Sequence, residues 1–253
     1  DWRLTSDIQY YPPEIHESDE YLKSRCRLDV YYCLTPLAGQ KRPVLVWFHG
    51  GGFWEGEKGI PELYKFMNCV IVAPSYRLTP NVKSPAFFED GAAALAWTRS
   101  NIEKYGGDKD NIFVAGHSAG AYLAFILALK GCFLEKYGLS PNDFKGFISV
   151  SGQMVTHLTL RAEKNIPVEQ LVVDEMAPIY LASKDAPPLL LTTGAGNLDF
   201  PCRAADNLLM SEAMKYKGHT KTEFYELPGL DHSTIVDGSF IYIGNFIRKY
   251  FKC

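Results

Sequence analysis

The residues with the types and spacing to do chemistry are one serine, one histidine and one aspartate, with a glycine run well upstream of them. The serine is Ser118, at the centre of Gly116-His117-Ser118-Ala119-Gly120. Asn111-Ile112-Phe113-Val114-Ala115 before it is short, apolar and β-branched, as a buried strand requires. After it, residues 119–130 are strong helix formers with almost no polar interruption. A strand that turns sharply through Gly-x-Ser-x-Gly into a helix is a nucleophile elbow. The turn holds its serine in a strained backbone and needs nearly bare flanking positions, so that strand and helix can pack closely. It lifts the hydroxyl clear of the sheet, at the positive end of the helix. The pentapeptide alone is a common accident, and an inert serine in a glycine-rich turn is the bland alternative. The strand, the helix and the second glycine motif together decide for a nucleophile.

That second motif, His49-Gly50-Gly51-Gly52-Phe53-Trp54, follows the apolar run Pro43-Val44-Leu45-Val46-Trp47-Phe48. A glycine run after a strand also suits a phosphate cradle. Neither Gly-x-Gly-x-x-Gly opening a helix nor Gly-x-x-x-x-Gly-Lys-Ser/Thr is present, which excludes that reading. Acyl transfer builds negative charge on a carbonyl oxygen, and bare backbone N–H groups converge on it only where no side chain intrudes. Gly51 and Gly52 are therefore candidate oxyanion donors, with the Ala119 N–H as the third. Phe53 and Trp54, beside them, either wall a modest acyl pocket or belong to the core.

These two motifs, with Tyr76-Arg77-Leu78-Thr79-Pro80, Pro85-Ala86-Phe87-Phe88-Glu89-Asp90 and Gly106-Gly107-Asp108, resemble the hormone-sensitive-lipase-like esterases of the α/β-hydrolase superfamily. The match covers most of the chain from Val44 onward. The resemblance implies a cofactor-free carboxylesterase on an α/β-hydrolase fold. Two features depart from the family. Its N-terminal helical cap is replaced here by a strand-like lead-in, and Asn81 stands where its Tyr-Arg-Leu-Ala-Pro-Glu run ends in glutamate. Arg77 and Asp90 read as a structural, buried ion pair.

In this fold the base follows the acid along the chain, in the order serine, aspartate, histidine. Of six histidines, His16 lies in the lead-in, His49 and His117 belong to the two motifs, and His219 sits in a polar turn. His157 precedes any sensible acid. His232, in the loop Pro228-Gly229-Leu230-Asp231-His232-Ser233 after the last strand, is where the resemblance also places the base. The acid comes from the loop after Leu189-Leu190-Leu191-Thr192, which ends in Asp199; its alternative role is a helix N-cap. Asp206 is a turn into the following helix, and Asp231 would have to fold back on its neighbour. Asp199 would hold the imidazole tautomer and stabilise the imidazolium.

Elements must bring these positions together. Cys26 to Tyr32 alternates apolar and polar residues, and with Ile8-Gln9-Tyr10-Tyr11 it predicts an antiparallel edge. Strands apolar on both faces follow at 43–48, 69–73, 113–115, 147–150 and 189–192, and an alternating strand at 221–227 closes the sheet. Helical patterns fall at 61–67, 86–105, 119–129, 203–216 and 240–250, and Gly39-Gln40-Lys41-Arg42 reads as a turn. This predicts a doubly wound, mostly parallel sheet of about eight strands with helices on both faces, in one domain spanning residues 1–253. The irregular interval 152–186, broken by Pro167 and Pro178, lies where such sheets bind ligands and reads as a small lid, too short for a cap domain.

Composition bounds the rest. In 253 residues, 47 % hydrophobic and 22 % charged content is ordinary for a globular protein, and a net charge of −3 with no basic patch argues against nucleic acid. No apolar run approaches a membrane span. The six cysteines lack zinc spacing and read as free thiols; no His/Asp cluster suggests a metal, and no cofactor is expected. The chain starts at Asp1 without a methionine, which reads as a trimmed amino terminus and leans toward export. The expected partner is a small ester, with oligomeric state left open. The sequence thus predicts a serine hydrolase of short-chain carboxylic esters. An amidase or formamidase, or a carbohydrate acetyl esterase, would use the same triad, and a non-catalytic receptor would have lost one of its members.

Overall fold

The computed structural model describes residues 2–34 and 41–252; Gly39 and Gln40, half of the expected turn, and Cys253 lie outside them. Eight strands form one sheet: β1 (Trp2–Gln9), β2 (Arg27–Cys33), β3 (Arg42–Phe48), β4 (Val70–Pro74), β5 (Gly107–His117), β6 (Gly146–Val150), β7 (Leu189–Gly194) and β8 (Thr222–Leu227). Their order is β1-β2-β4-β3-β5-β6-β7-β8. The β1–β2 and β2–β4 pairs are antiparallel and all others parallel, so the lead-in forms the expected antiparallel edge.

Alternation along the strands divides the core between two faces. In β3, Val44, Val46 and Phe48 join one apolar cluster while Leu45 and Trp47 join the other. Helices Ala86–Asn101, Ala119–Leu129 and Arg203–Tyr216 cover the first face, and Phe240–Tyr250 covers the second through Ile243, Phe246 and Ile247. Ala119–Leu129 is buried on every side from Ala119 to Ala128, which explains why its sequence shows no polar stripe. The interval 152–186 contains one short helix, Leu158–Glu163, among turns.

The amino-terminal segment differs from its sequence pattern. β1 begins six residues before the expected Ile8, and Tyr10 and Tyr11 leave the sheet for the core. Their hydroxyls donate to the Ser75 carbonyl and to Asp90 Oδ1, both at 2.8 Å. Two short helices, Pro13–His16 and Glu20–Arg25, follow; Asp19 caps the second through the N–H groups of Tyr21 and Leu22.

Asp90 is fully buried and receives Arg77 Nη2 at 2.7 Å and Nε at 3.0 Å, together with the Arg77 backbone N–H at 2.8 Å. These bonds hold the segment after β4 to helix Ala86–Asn101, which carries Asp90. Removing the carboxylate would leave the mostly buried guanidinium with only the half-exposed Asp19, 3.8 Å from Nη1, and the Tyr11 hydroxyl without its acceptor. Asp90→Ala is therefore expected to lower stability by about 3–5 kcal/mol in urea unfolding. A loss below about 1 kcal/mol would class the pair with exposed ion pairs.

Candidate active site

Five neighbouring strands in the parallel part of the sheet, β3-β5-β6-β7-β8, end on the same side, and the loop after each contributes to one cluster. Ser118 follows β5, Gly51 and Gly52 follow β3, Ser151 follows β6, Asp199 follows β7 and His232 follows β8. Strand register brings these ends level: Phe48 pairs with Gly116, His117 with Val150, Val150 with Thr192, and Gly194 with Leu227.

Ser118 sits at φ 54°, ψ −117°, a backbone conformation that L-residues rarely adopt. The flanking glycines are required by contact. A Cβ on Gly116 would lie 2.3 Å from the Gly120 carbonyl carbon, and one on Gly120 would lie 2.2 Å from the Phe48 carbonyl oxygen. The helix after the turn is pressed against the ends of β3 and β5, which aims the serine hydroxyl outward.

His232 Nε2 lies 3.0 Å from Ser118 Oγ, and its Nδ1 lies 2.7 Å from Asp199 Oδ1. A carboxylate oxygen only accepts, so Nδ1 carries the proton and Nε2 is free to accept one from the serine. Asp199 accepts three further hydrogen bonds. The Phe200 N–H reaches Oδ1 at 2.7 Å, while the Ser151 hydroxyl and the Gly194 N–H reach Oδ2 at 2.6 Å and 3.0 Å. Burial works to raise the pKa of this carboxyl, but the bonds from His232, Ser151 and Phe200 outweigh it and hold it below the usual carboxylate range.

The other candidates for base and acid have different work. His117 donates from Nε2 to the His232 carbonyl at 2.7 Å, which ties the loop after β8 to the serine turn. Burial first, then the neighbouring His232, lowers the His117 pKa to about 4, so the ring is neutral. His49 is stacked on Tyr76 at 4.3 Å and is likewise lowered to about 4 by burial. His157 caps helix Leu158–Glu163, accepting from the Thr159 N–H at 3.2 Å. Asp206 is buried against the Met154 N–H at 3.0 Å and raised to about 6 by burial. Asp231 accepts from the N–H groups of Ser233 and Thr234 within its own turn. Asp199 does not cap the helix that follows, whose N-cap is Cys202 in the left-handed region.

A cavity of about 600 Å³ opens over Ser118 and His232, lined also by Gly51, Gly52, Trp54 and His157. Gly51 and Gly52 take φ of 105° and 64°, and the turn is closed by bonds from the Trp54 and Glu55 N–H groups to the Gly51 carbonyl. Among the described residues, no hydrogen bond uses the N–H of Gly51 or Gly52. Ala119, next to the serine, opens its helix and is fully buried. One expected wall is absent. Phe53 is fully buried, stacked on Phe87 at 4.2 Å with Tyr76, Phe88 and Tyr122 around it, and does not line the cavity. Its positive φ of 67° turns it inward while Trp54 stays at the opening.

Sequence reasoning missed Ser151, Phe200 and Arg203. Phe200 packs its ring 4.3 Å from that of His232, and Arg203 borders the cavity. For Ser151 a signal existed, since it directly follows a central strand at its carboxyl end; Phe200 and Arg203 show none in the sequence.

Among the described residues no three His, Cys, Asp or Glu side chains cluster so as to hold a metal ion, and no helix is long and apolar enough to cross a membrane. Cys26, Cys69, Cys132 and Cys202 are free thiols.

The fold and the strand-end cluster are those of the α/β-hydrolase class. A family model described as alpha/beta hydrolase fold matches residues 45–186, and the chain belongs to that family. Among curated proteins it is 28 % identical over 254 residues to Esterase LipQ of Mycobacterium tuberculosis, covering 90 % of this chain and 57 % of that protein. It is 33 % identical over 122 residues to Carboxylesterase 20 of Arabidopsis thaliana, covering 44 % and 37 %. The chain thus spans little more than half the length of such relatives, or less. Among solved structures, a truncated carbohydrate esterase from gut microbiota superposes with a TM-score of 0.77 at 18 % identity, over 98 % of this chain and 96 % of that one. Esterase B from Lactobacillus rhamnosis gives 0.75 at 18 %, over 98 % and 87 %. These two likenesses concern the fold.

Proposed function

We propose that the chain is a carboxylic ester hydrolase that works through an acyl-enzyme. Ser118 is the nucleophile, His232 the general base and then acid, and Asp199 the group that fixes the imidazole. The observation that carries this reading is the continuous relay from Ser118 Oγ through His232 to Asp199, at 3.0 Å and 2.7 Å, opening into the cavity with the Gly51–Gly52 loop. Ser118 Oγ bonds to the acyl carbon as His232 Nε2 takes its proton; that proton then leaves with the alcohol, and water repeats the sequence. The N–H groups of Gly51, Gly52 and Ala119 receive the oxyanion, each donor worth about 3 kcal/mol in the barrier. The names of the esterase relatives support ester over amide substrates.

The interval 152–186 acts as a short lid of a single domain, tethered by the Thr159 hydroxyl to the Gly52 carbonyl. With Phe53 in the core, Trp54 is the aromatic surface that the glycine loop offers the acyl chain. Each methylene that such a site buries adds about 0.8 kcal/mol, and few fit. Across 4-nitrophenyl esters of increasing length, kcat/KM is expected to be highest from acetyl to butyryl and poor at decanoyl. Best turnover of long chains, or a jump in activity at a lipid–water interface, would make the protein a lipase instead.

A further inference from the structure

Beside the cavity over Ser118 lies a second of about 410 Å³, and the two share Leu158, Phe200 and Arg203. Val168, Leu171 and Pro201 give it an apolar lining, yet two arginines border it. Arg161 is 2 % exposed and Arg203 5 %. Neither forms an ion pair with any described carboxylate. Arg161 donates from Nε to the Thr156 carbonyl at 3.1 Å and from Nη1 to the carbonyls of Val168 and Gln170. Arg203 donates from Nη1 to the Ser151 carbonyl, and its Cζ lies 5.7 Å from the centre of the Phe200 ring. No hydrogen bond among the described residues uses Nη2 of either arginine or Nε of Arg203. Burial works against the charge of both; Asp206 and Asp199 offset only part of that for Arg203.

A desolvated cation is costly unless an anion or a full set of acceptors meets it. Here none of the free donors is a fully buried atom, and both arginines line the cavity, where an anion can meet them. The acids at the rims, Glu55 and Glu169, are exposed and screened by water, so they oppose an incoming anion weakly. Location gives the subsite its part of the substrate. His232 returns its proton to the departing alcohol oxygen, and the wall shared by the two cavities starts at Phe200, packed on the His232 ring. The alcohol therefore leaves toward the second cavity. The apolar lining suits a hydrocarbon or aromatic body carrying one carboxylate better than a strongly hydrated phosphate.

We propose that this second cavity binds a carboxylate carried on the alcohol part of the ester, so that the preferred substrates are esters of apolar or aromatic hydroxy acids. The proposal rests on the ester-hydrolase reading and deepens it; bond making and breaking are unchanged and water is the only co-substrate.

The test compares 4-acetoxybenzoate with its neutral counterpart 4-acetoxybenzamide on the wild-type protein and on Arg203→Met. Charge-assisted hydrogen bonds set the expected size, so wild-type kcat/KM should favour the carboxylate by about tenfold to a hundredfold. In Arg203→Met that ratio should fall toward one. Taking the ratio within each protein cancels any general damage from loss of the Ser151 contact. Wild-type hydrolysis of both compounds without preference, or a preference that survives Arg203→Met, overturns the proposal. So does a larger charge preference on the acyl side, read from mono(4-nitrophenyl) succinate against 4-nitrophenyl butyrate. If neither acetoxy compound is hydrolysed, the ester-hydrolase reading fails, and calorimetry still decides the subsite. 4-Hydroxybenzoate must bind the wild-type protein at least about tenfold more tightly than 4-hydroxybenzamide, or the subsite is refuted as well.

Discussion

Ser118→Ala is expected to lower kcat for 4-nitrophenyl acetate by about 10⁶-fold, the scale seen when the nucleophile of a serine-protease triad is removed. Without Oγ no acyl-enzyme forms, and the residual rate comes from the oxyanion donors and from binding. The turn itself should persist. Its ties are backbone bonds, Ser118 N–H to the Val150 carbonyl at 2.9 Å and Tyr122 N–H to the Ser118 carbonyl at 3.0 Å. The strained φ is a property of the turn that alanine inherits. Circular dichroism and the thermal midpoint should therefore match the parent protein. A variant that keeps activity within tenfold of the parent would remove Ser118 from the mechanism.

Asp199→Asn is expected to cut kcat by about 10⁴, the loss found for this change in a serine protease. The carboxylate accepts four hydrogen bonds, from His232 Nδ1, the Ser151 hydroxyl and the N–H groups of Phe200 and Gly194. An amide can accept on one side only. Its NH₂ group must face donors, and turning it toward His232 would drive the imidazole proton to Nε2, the nitrogen that has to accept from Ser118. Asp206→Asn should cost little activity, because Asp206 bonds to Met154 and Asn207 and not to His232. Kinetics of the two variants side by side decide the acid; a severe loss in Asp206→Asn with a mild one in Asp199→Asn would reverse the assignment.

What the sequence made legible follows from where burial is complete. Helices Ala119–Leu129, Arg203–Tyr216 and Phe240–Tyr250 have the bounds that their patterns indicate; Lys130-Gly131 and Lys217-Gly218 follow the first two, and Gly238-Ser239 precedes the third. The central strands are apolar on both faces and stand out for the same reason. β1 has a mostly exposed pattern, with Leu4 53 % exposed, and its length depends on pairing with β2, which no local signal carries. Tyr10 and Tyr11 look like strand residues, but Ser75 and Asp90 draw their hydroxyls inward. At the site, Ser118, His232 and Asp199 stood out through motif and chain order, and the fold brings them within hydrogen-bonding distance. Phe53 and Trp54 are adjacent and alike in type; only the backbone at Phe53 sends one into the core and leaves the other at the cavity. Arg203 carries no signal in the sequence, because its place between the two cavities is a fact of packing.

The central claim is that Ser118 becomes acylated. A fluorophosphonate probe that phosphonylates activated serines, followed by peptide mapping in a mass spectrometer, tests it most directly. One equivalent of label on the peptide carrying Ser118, with parallel loss of ester hydrolysis and no label in Ser118→Ala, is the expected result. Label on a different serine, or full activity in protein labelled at Ser118, would contradict the account.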